Sequence, residues 1–282
     1  MNLPAAVFAA FLAVIPAAAQ DAATSDHWDA RITAVTGEVV VHPAGGGDEV
    51  SAEAEMPLEE GDRVVTSAGA SAEVALDGGS LIALRESTDF TLENTRKNAS
   101  IFSVALGSIL AKIQKLGSQS LSVRTPSSVA AVRGTEFGVD VEGEQSHVGV
   151  FDEGRVEVRS PAGGAPAVLT PNQETSVARG QAPQKVVPLT RFAARRGMMR
   201  AHVTRLAAVR QHWKAMPAAQ RRNVRAKALK RLRQRRLNHL NHARQVHTPE
   251  NREKREAPRR KPRRKPHAKP KKRALKPLRR KN

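Results

Sequence analysis

The sequence contains no cysteine and no tyrosine, and only 3% of its residues are aromatic. The lack of cysteine excludes disulfide bonds, thiolate catalysis and cysteine-ligated zinc or iron–sulfur sites. The shortage of aromatic side chains removes the stacking platforms on which many proteins hold single-stranded nucleic acids.

The common catalytic and metal-binding motifs are also missing. There is no Gly-x-Ser-x-Gly elbow, no Walker phosphate loop, no His-Glu-x-x-His and no EF-hand loop. An acidic cluster in the first half suggests a calcium site or an acid/base pair, but a solvated loop that resists aggregation explains it better. Its members are Glu53, Glu55, Glu59, Glu60 and Asp62. We therefore expect a protein that is not an enzyme and that needs no cofactor.

The histidines do not indicate a catalytic or metal-binding site either. His27, His42 and His147 have no serine or aspartate near them in a recognisable catalytic arrangement. His239 and His242 are three residues apart, a spacing that suits zinc or nickel on a helix. The arginines around them repel a divalent cation and no carboxylate lies nearby on that helix, so we predict no metal site.

The first 19 residues resemble a cleaved signal peptide. Residues 3–15 form an apolar run that is too short to cross a bilayer, which needs ~20 residues, and the run ends at a small-x-small site, Ala17-Ala18-Ala19. The leader carries no Lys or Arg, which departs from the usual pattern. We expect an exported protein, periplasmic or associated with the cell envelope, and no integral membrane span.

Charge divides the chain into two unlike parts. Residues 1–184 contain 12 Lys+Arg and 24 Asp+Glu, a net charge of −12, whereas residues 185–282 contain 35 Lys+Arg and 3 Asp+Glu, a net charge of +32. This division indicates an acidic folded part joined to a basic arm for polyanions or membrane surfaces. Alternatively, the basic arm can fold back on the acidic part of its own or a neighbouring molecule.

Residues 28–182 predict a mainly β fold. Apolar residues alternate with polar ones, and glycine-rich turns recur about every 8 to 12 residues, as in an all-β sandwich or barrel. The Asp77-Gly78-Gly79 turn between alternating runs is a strong hairpin signal. We predict an antiparallel β sandwich or roll in this region.

The pattern changes after Pro183. Residues 186–247 predict a basic amphipathic helical segment, with one helix beginning near Leu189 and a second over residues 217–245. Residues 248–282 repeat Lys/Arg clusters between prolines, a composition that cannot bury a core, and we predict a disordered tail. The helical segment also offers an apolar stripe for a membrane interface, formed by Phe192, Met199, Leu206 and Trp213.

The stretch TPSSVAAVRGTEFGVDV at residues 125–141 predicts a turn between two strands. Proline removes an amide donor and ends one strand, and Gly134 permits a tight bend before Phe137 enters the core. Arg133 and Glu136 are expected to pair with each other or with nearby backbone and to fix that bend. A catalytic Arg/Glu pair is not favoured, because the neighbourhood offers no partners for proton transfer.

This stretch resembles the signature of the FecR domain family. The motif residues are Thr125, Pro126, Arg133, Gly134, Thr135, Glu136 and Phe137. Other matching segments follow in order over residues 30–181, among them LEEGDRVVTSAGASAEVALDGGSLIAL, VGVFDEGRVEVRS and LTPNQETSVARG. The resemblance implies an exported β domain that in many members belongs to a signal-transducing regulator, and it carries no catalytic residues. A leader replaces the cytoplasmic sigma-binding segment of those regulators, which makes direct control of a sigma factor doubtful.

We therefore expect an exported, stand-alone FecR-domain protein that binds or scaffolds an envelope component and is tethered to anionic polymers or lipids by its basic C-terminus. One alternative is a periplasmic signal-sensing protein of the FecR type with an envelope protein as partner. Another is a nucleic-acid-binding protein that contacts phosphates through the tail. The candidate polyanion-binding residues are Arg221, Arg222, Arg225, Arg231, Arg235, Arg259, Arg260, Lys261, Arg263, Arg264, Lys265, Lys271 and Lys272.

Overall fold

A computed structural model describes residues 26–114, 120–214 and 216–246. The strands are β1 (Ala30–Thr36), β2 (Val39–His42), β3 (Val50–Ser51), β4 (Pro57–Leu58), β5 (Arg63–Thr66), β6 (Ser71–Leu76), β7 (Ser80–Leu84), β8 (Asp89–Asn94), β9 (Ser100–Lys112), β10 (Leu121–Arg124), β11 (Val129–Arg133), β12 (Glu136–Glu142), β13 (Gln145–Val150), β14 (Arg155–Arg159), β15 (Ala167–Leu169), β16 (Gln173–Ala178) and β17 (Val187–Pro188). A 3-10 turn (Ala193–Arg195) leads into helix α1 (Arg196–His212), and helix α2 (Ala218–Val246) follows.

The strands form two sheets that share β9. Sheet I has the order β4-β1-β6-β7-β9-β12-β13-β16-β17, and sheet II has the order β3-β2-β5-β8-β9-β10-β11-β14-β15. The first half of β9 pairs in sheet II and its second half in sheet I. The change of sheet falls at Gly107, whose φ is +89° and where any Cβ would meet the backbone of Thr88 at 2.5 Å. Only glycine fits this crossing without strain.

The main core lies between the two sheets. Alternate residues of each strand face inward, as the period-two pattern predicts, and Phe90, Phe102 and Phe137 are fully buried there. Phe90 and Phe102 pack edge to face with ring centroids 5.6 Å apart. The few aromatics of the sequence are thus placed where large volumes must be filled.

The outer face of sheet I is also covered, by a segment that we call the strap (residues 189–213, which contain the 3-10 turn and α1). Leu189, Phe192 and Met199 of the strap pack with Leu110 and Phe151 of the sheet. Farther along the helix, Leu206 packs with residues of β6 and β7. These contacts explain why the outward-facing positions of β7 and β9 are apolar.

The fold-class prediction is confirmed: the protein is mainly β, with its helices at the C-terminal side. The pairing departs from a purely antiparallel pattern at one place, because β10 runs parallel to β9. The first helix begins at Arg196, later than Leu189, since the 3-10 turn at Ala193–Arg195 comes before it. The second helix lies close to the predicted range.

The described residues up to Arg235 belong to one compact unit, and the described residues after Arg235 belong to a second. No helix among the described residues is both long enough and apolar enough to span a bilayer. The predicted leader (1–19) and the predicted disordered tail (248–282) lie outside the described residues. The predicted limits of the β domain (28–182) and of the helical segment (186–247) stay predictions.

Candidate partner-binding site on the acidic face of the β region

A buried carboxylate on sheet I anchors the start of the strap. Asp140 of β12 has a side chain only 2% exposed, and the guanidinium groups of Arg191 and Arg195 both bind it, the former at 2.9 Å. Burial alone would raise the pKa of Asp140, but hydrogen bonds from Arg195 and Ser108 and the nearby positive charges bring its pKa below the ordinary value. Asp140 is therefore a carboxylate that binds two arginines and stays ionised.

Glu174 of β16 fixes the backbone of the same segment. Its carboxylate accepts hydrogen bonds from the hydroxyl of Thr190 at 2.6 Å and from the backbone amide of Arg191 at 3.1 Å. Burial acts to raise the pKa of Glu174, and the hydrogen bonds that it accepts hold its pKa below the usual range. The Glu174 carboxylate thus accepts hydrogen bonds from backbone amides just before the first helical turn, where amides have no partner within a helix.

Two glycines make room for the strap on the sheet. A Cβ atom at Gly138 would lie 2.7 Å from the ring of Phe192, and one at Gly149 would lie 2.5 Å from it. The ring packs edge to face on Phe151, with centroids 6.2 Å apart. The close approach of Phe192 therefore depends on two positions without side chains.

Helix α1 then runs along a row of carboxylates. Glu73 binds His202 at 2.9 Å and also Arg205. Asp152 lies 3.6 Å from Arg196 and 3.5 Å from Arg200. Burial opposes ionisation of Glu73, but its His202 and Arg205 partners hold its pKa below the ordinary value.

A groove of about 450 Å³ opens beside α1 over β1 and β6. Its floor contains small residues such as Ala34 and Ala83, and Met198 and His202 form its wall. Arg85 also lines it and donates a hydrogen bond to the sulfur of Met198 at 2.9 Å. The groove is a concave feature beside the strap.

A cluster of buried charged side chains contacts the chain just after α1. Asp29 of the β region binds Arg31 and lies 3.7 Å from Arg221 of α2, and the side chains of all three are at most 7% exposed. The guanidinium of Arg31 stacks 4.4 Å above the ring of Trp213 and donates to the carbonyl of Lys214 at 2.9 Å. Arg31 thus fixes the break between the two helices.

The first part of α2 lies on loops at one end of the sandwich. We call residues 218–235 the latch. Arg225 binds Asp62 through two bonds of 2.5 and 2.6 Å, and it also donates to the carbonyl of Pro57 at 3.0 Å. Arg231 and Arg235 both bind Glu53 at 2.5 Å. Four of the candidate polyanion-binding arginines, including Arg221, thus contact carboxylates of their own molecule.

The other candidate cations have different surroundings. Arg222 is exposed, and among the described residues it forms no ion pair; the same holds for Lys227 and Lys230 on the solvent side of α2. The side chains of His239 and His242 are not described, and no metal-ligand cluster occurs among the residues that the structure describes. The remaining candidates lie outside the described residues: Arg259, Arg260, Lys261, Arg263, Arg264, Lys265, Lys271 and Lys272.

The Arg-Gly-Thr-Glu-Phe stretch forms a turn between β11 and β12. Gly134 has a φ of +58°, and Thr135 is buried with its hydroxyl on the backbone of Arg155 at 3.2 Å. Glu136 pairs with Lys112 at 3.0 Å instead of with Arg133. The reason is that Glu136 of β12 and Lys112 of β9 lie opposite each other on neighbouring strands. Arg133 is exposed.

The Thr125-Pro126 end of this stretch belongs to a buried hydroxyl cluster. The Thr125 hydroxyl accepts hydrogen bonds from the amide of Ser128 at 2.9 Å and from the hydroxyl of Ser146 at 2.7 Å. Ser127 also bonds Ser146 at 2.6 Å. The motif residues therefore organise a turn and a strand end of the β region.

Sequence reasoning placed Glu53 and Asp62 in a solvated acidic loop, and it missed Asp29, Glu73, Asp140 and Asp152. The signal was present at Asp140: an acidic residue lies between Val139 and Val141 in a strand whose neighbours are apolar. Such a position predicts a carboxylate on the outer face of a central strand, and a carboxylate there needs a cationic partner if that face is covered.

Comparison with known proteins agrees with the motif. Residues 62–157 match the model of the family described as FecR protein, which confirms the resemblance for that part of the chain. No curated protein matches the chain.

Two crystal structures of a "putative anti-sigma factor" from Parabacteroides distasonis ATCC 8503, at 1.65 and 2.50 Å resolution, are similar to it. Each is 21% identical in sequence, with a TM-score of 0.39. The similarity covers 45% of this chain and 59% of theirs, so the chain spans about three fifths of the length of these structures.

Proposed function

We propose that this chain, whose residues 62–157 match the FecR family, is a regulatory protein of the FecR type that acts by binding another protein in the cell envelope. The observation that supports this most directly is the groove of about 450 Å³ beside α1, which is open with the strap in place and has Glu73, Arg85 and His202 among its lining residues. A groove with a few charged side chains in its lining suits a segment of another protein.

The test is genetic and uses the intact protein. Cells that lack the chain are compared with cells that carry it, by measuring the transcripts of the whole genome. A FecR-type regulator predicts a small, defined gene set that changes on deletion and returns when the wild-type chain is restored. Crosslinking of the restored chain in intact cells should then capture one envelope protein whose loss gives the same transcript changes. Unchanged transcripts would refute the regulatory proposal.

A second candidate function is a tether to anionic envelope material. It is supported by the exposed side chains of Arg222, Lys227 and Lys230 and by the basic composition of residues 236–282. Engaged Lys and Arg side chains near an anionic surface each contribute about 1 kcal/mol before screening. On this proposal the exported chain fractionates with the envelope and is released by a high-salt wash. Recovery of an unprocessed chain in the cytoplasm with nucleic acid would favour the nucleic-acid alternative.

A further inference from the structure

The two helical parts of the C-terminal segment are attached to the β region in different ways. The strap is held mainly by buried apolar side chains: Phe192 is fully buried, and Met199 and Leu206 are 1% and 3% exposed. Among its described side chains, the latch adds one buried apolar residue to the main core, Leu232 at 6% exposure, with Leu229 partly buried beside it, and its remaining attachments are made by arginines. Added salt weakens the exposed pairs of Arg231 and Arg235 with Glu53, but it weakens apolar contacts and the largely buried Arg225–Asp62 pair much less.

The carboxylates under the strap would lose their cations if the strap left. Both cationic partners of Asp140 are in the strap, and so are both partners of Glu73. Detachment would leave two largely buried carboxylates without a compensating charge, which is costly. The strap is thus part of the fold.

The carboxylates under the latch are satisfied differently. Asp62 accepts hydrogen bonds from the backbone amides of Ala44 at 3.0 Å and Glu59 at 2.8 Å, in addition to Arg225. Asp29 keeps Arg31 of its own strand when Arg221 is absent. Glu53 is part-exposed and can return to water. Removal of the latch therefore leaves each acceptor with a partner in the β region or in solvent.

The face that the latch turns toward the β region also fits another surface. Val224, Leu229 and Leu232 lie on this face together with Arg221 and Arg225, and no acidic residue occurs anywhere in α2. Helix α2 is strongly cationic and only weakly amphipathic, so it suits an anionic bilayer surface through contacts of its arginines with lipid phosphate groups rather than through deep insertion. The same arginines cannot bind carboxylates and phosphates at once.

We propose that the latch is a detachable helix that exchanges the carboxylates of its own β region for an anionic phospholipid surface. This inference rests on the second candidate function and adds to it the responsible surface and its regulation. In the free molecule Arg221, Arg225, Arg231 and Arg235 are occupied internally, so weakening their internal partners strengthens binding to the lipid. The strap stays in place throughout.

The decisive variant is Glu53→Gln in the full-length protein, because it frees Arg231 and Arg235 without removing any cation. The control is Glu144→Gln, which makes the same charge change at an exposed ion pair with Arg179, away from the latch. Binding is measured to vesicles of phosphatidylglycerol and phosphatidylcholine, to vesicles of phosphatidylcholine alone, and to soluble polyphosphate. Hydrogen exchange of residues 218–235 and 196–212 is followed without lipid.

We expect Glu53→Gln to bind the phosphatidylglycerol vesicles about three- to tenfold more tightly than the wild type, the range for loss of two exposed ion pairs. Exchange should accelerate in residues 218–235 and stay unchanged in 196–212. Equal binding by the two variants, or unchanged exchange of the latch, overturns the proposal. An equal gain with soluble polyphosphate overturns the assignment to a bilayer. Transcript regulation is read separately, so failure here leaves the regulatory proposal intact.

Discussion

Asp140 lies in the middle of sheet I, and its two cationic partners come from positions 51 and 55 residues away in the sequence. A carboxylate that is 2% exposed has lost nearly all of its hydration, so its charge is stable only while both guanidinium groups are present. The same ion pairs also hold the strap on the sheet, because Arg191 and Arg195 belong to the strap. A single residue thus couples the stability of the sheet to the docking of the segment that covers it.

Asp140→Asn tests this coupling. We expect the free energy of unfolding to fall by about 2 kcal/mol, less than for a fully buried pair, because both arginines are partly exposed and can return to water. Urea unfolding measures the change, and Asp48→Asn, at an exposed loop position, serves as the control. A loss for Asp140→Asn no larger than for the control would contradict the account.

The pH dependence follows from the lowered pKa values of Asp140 and Glu73. Their pKa values are lower in the folded protein than in the unfolded chain, so ionisation stabilises the fold above about pH 4, the ordinary carboxyl pKa. This stability is lost as the pH falls through the folded-state values. Urea unfolding from about pH 6 downward should show a steeper loss for the wild type than for Asp140→Asn. Parallel curves would show that Asp140 does not contribute to the acid sensitivity.

At the scale of elements, the strap depends on the two glycines beneath it. Gly138 and Gly149 lie on neighbouring strands, β12 and β13, and register opposite each other. Together they form a shallow hollow in an otherwise side-chain-covered sheet, and Phe192 fills it. Close approach of a ring to backbone is a recurring reason for glycine inside a strand.

Gly149→Ala should displace the strap without altering the β region. The new methyl group would lie 2.5 Å from the Phe192 ring and 2.8 Å from Leu189, so both must shift, and overpacking of this kind costs about 1–3 kcal/mol. Hydrogen exchange should rise in residues 189–213. Gly45→Ala is a matched control, since a Cβ there meets nothing within 4 Å. Unchanged protection of the strap in Gly149→Ala would refute the packing argument.

The elements also show what the sequence could and could not predict. Strands were predictable because alternation is local: Phe137, Val139 and Val141 share the inward face of β12, as their spacing indicates. The placement of the latch could not be predicted, because it depends on ion pairs such as Arg225 with Asp62, which are 163 residues apart in the sequence. A hint existed, because Arg221 and Arg225 are spaced to fall on the apolar side of α2. Cations within an apolar stripe indicate partners inside the molecule.

At the scale of the whole molecule, the charge division between residues 1–184 and 185–282 is partly an internal match. Among the described residues, the basic segment up to Arg235 forms ion pairs with carboxylates of the acidic part at seven positions: Asp29, Glu53, Asp62, Glu73, Asp140, Glu142 and Asp152. The excess of positive charge is thus carried by the outer side of α2 and by the residues that follow it. The acidic β region and its strap form the body, and the exposed side chains of Arg222, Lys227 and Lys230 on α2 are available to an external anion.

Two shortened chains distinguish these roles. A chain that ends at Lys214 keeps the strap and loses the latch, so we expect it to fold, stay monomeric and lose less than half of the unfolding free energy. A chain that ends at Lys185 uncovers Leu110 and Phe151 on sheet I, and exposed apolar area of this kind promotes association. Light scattering and binding of a hydrophobic dye should therefore rise only for the shorter chain. If both chains aggregated equally, the latch would belong to the fold as firmly as the strap, and its exchange for a lipid surface would have no structural basis.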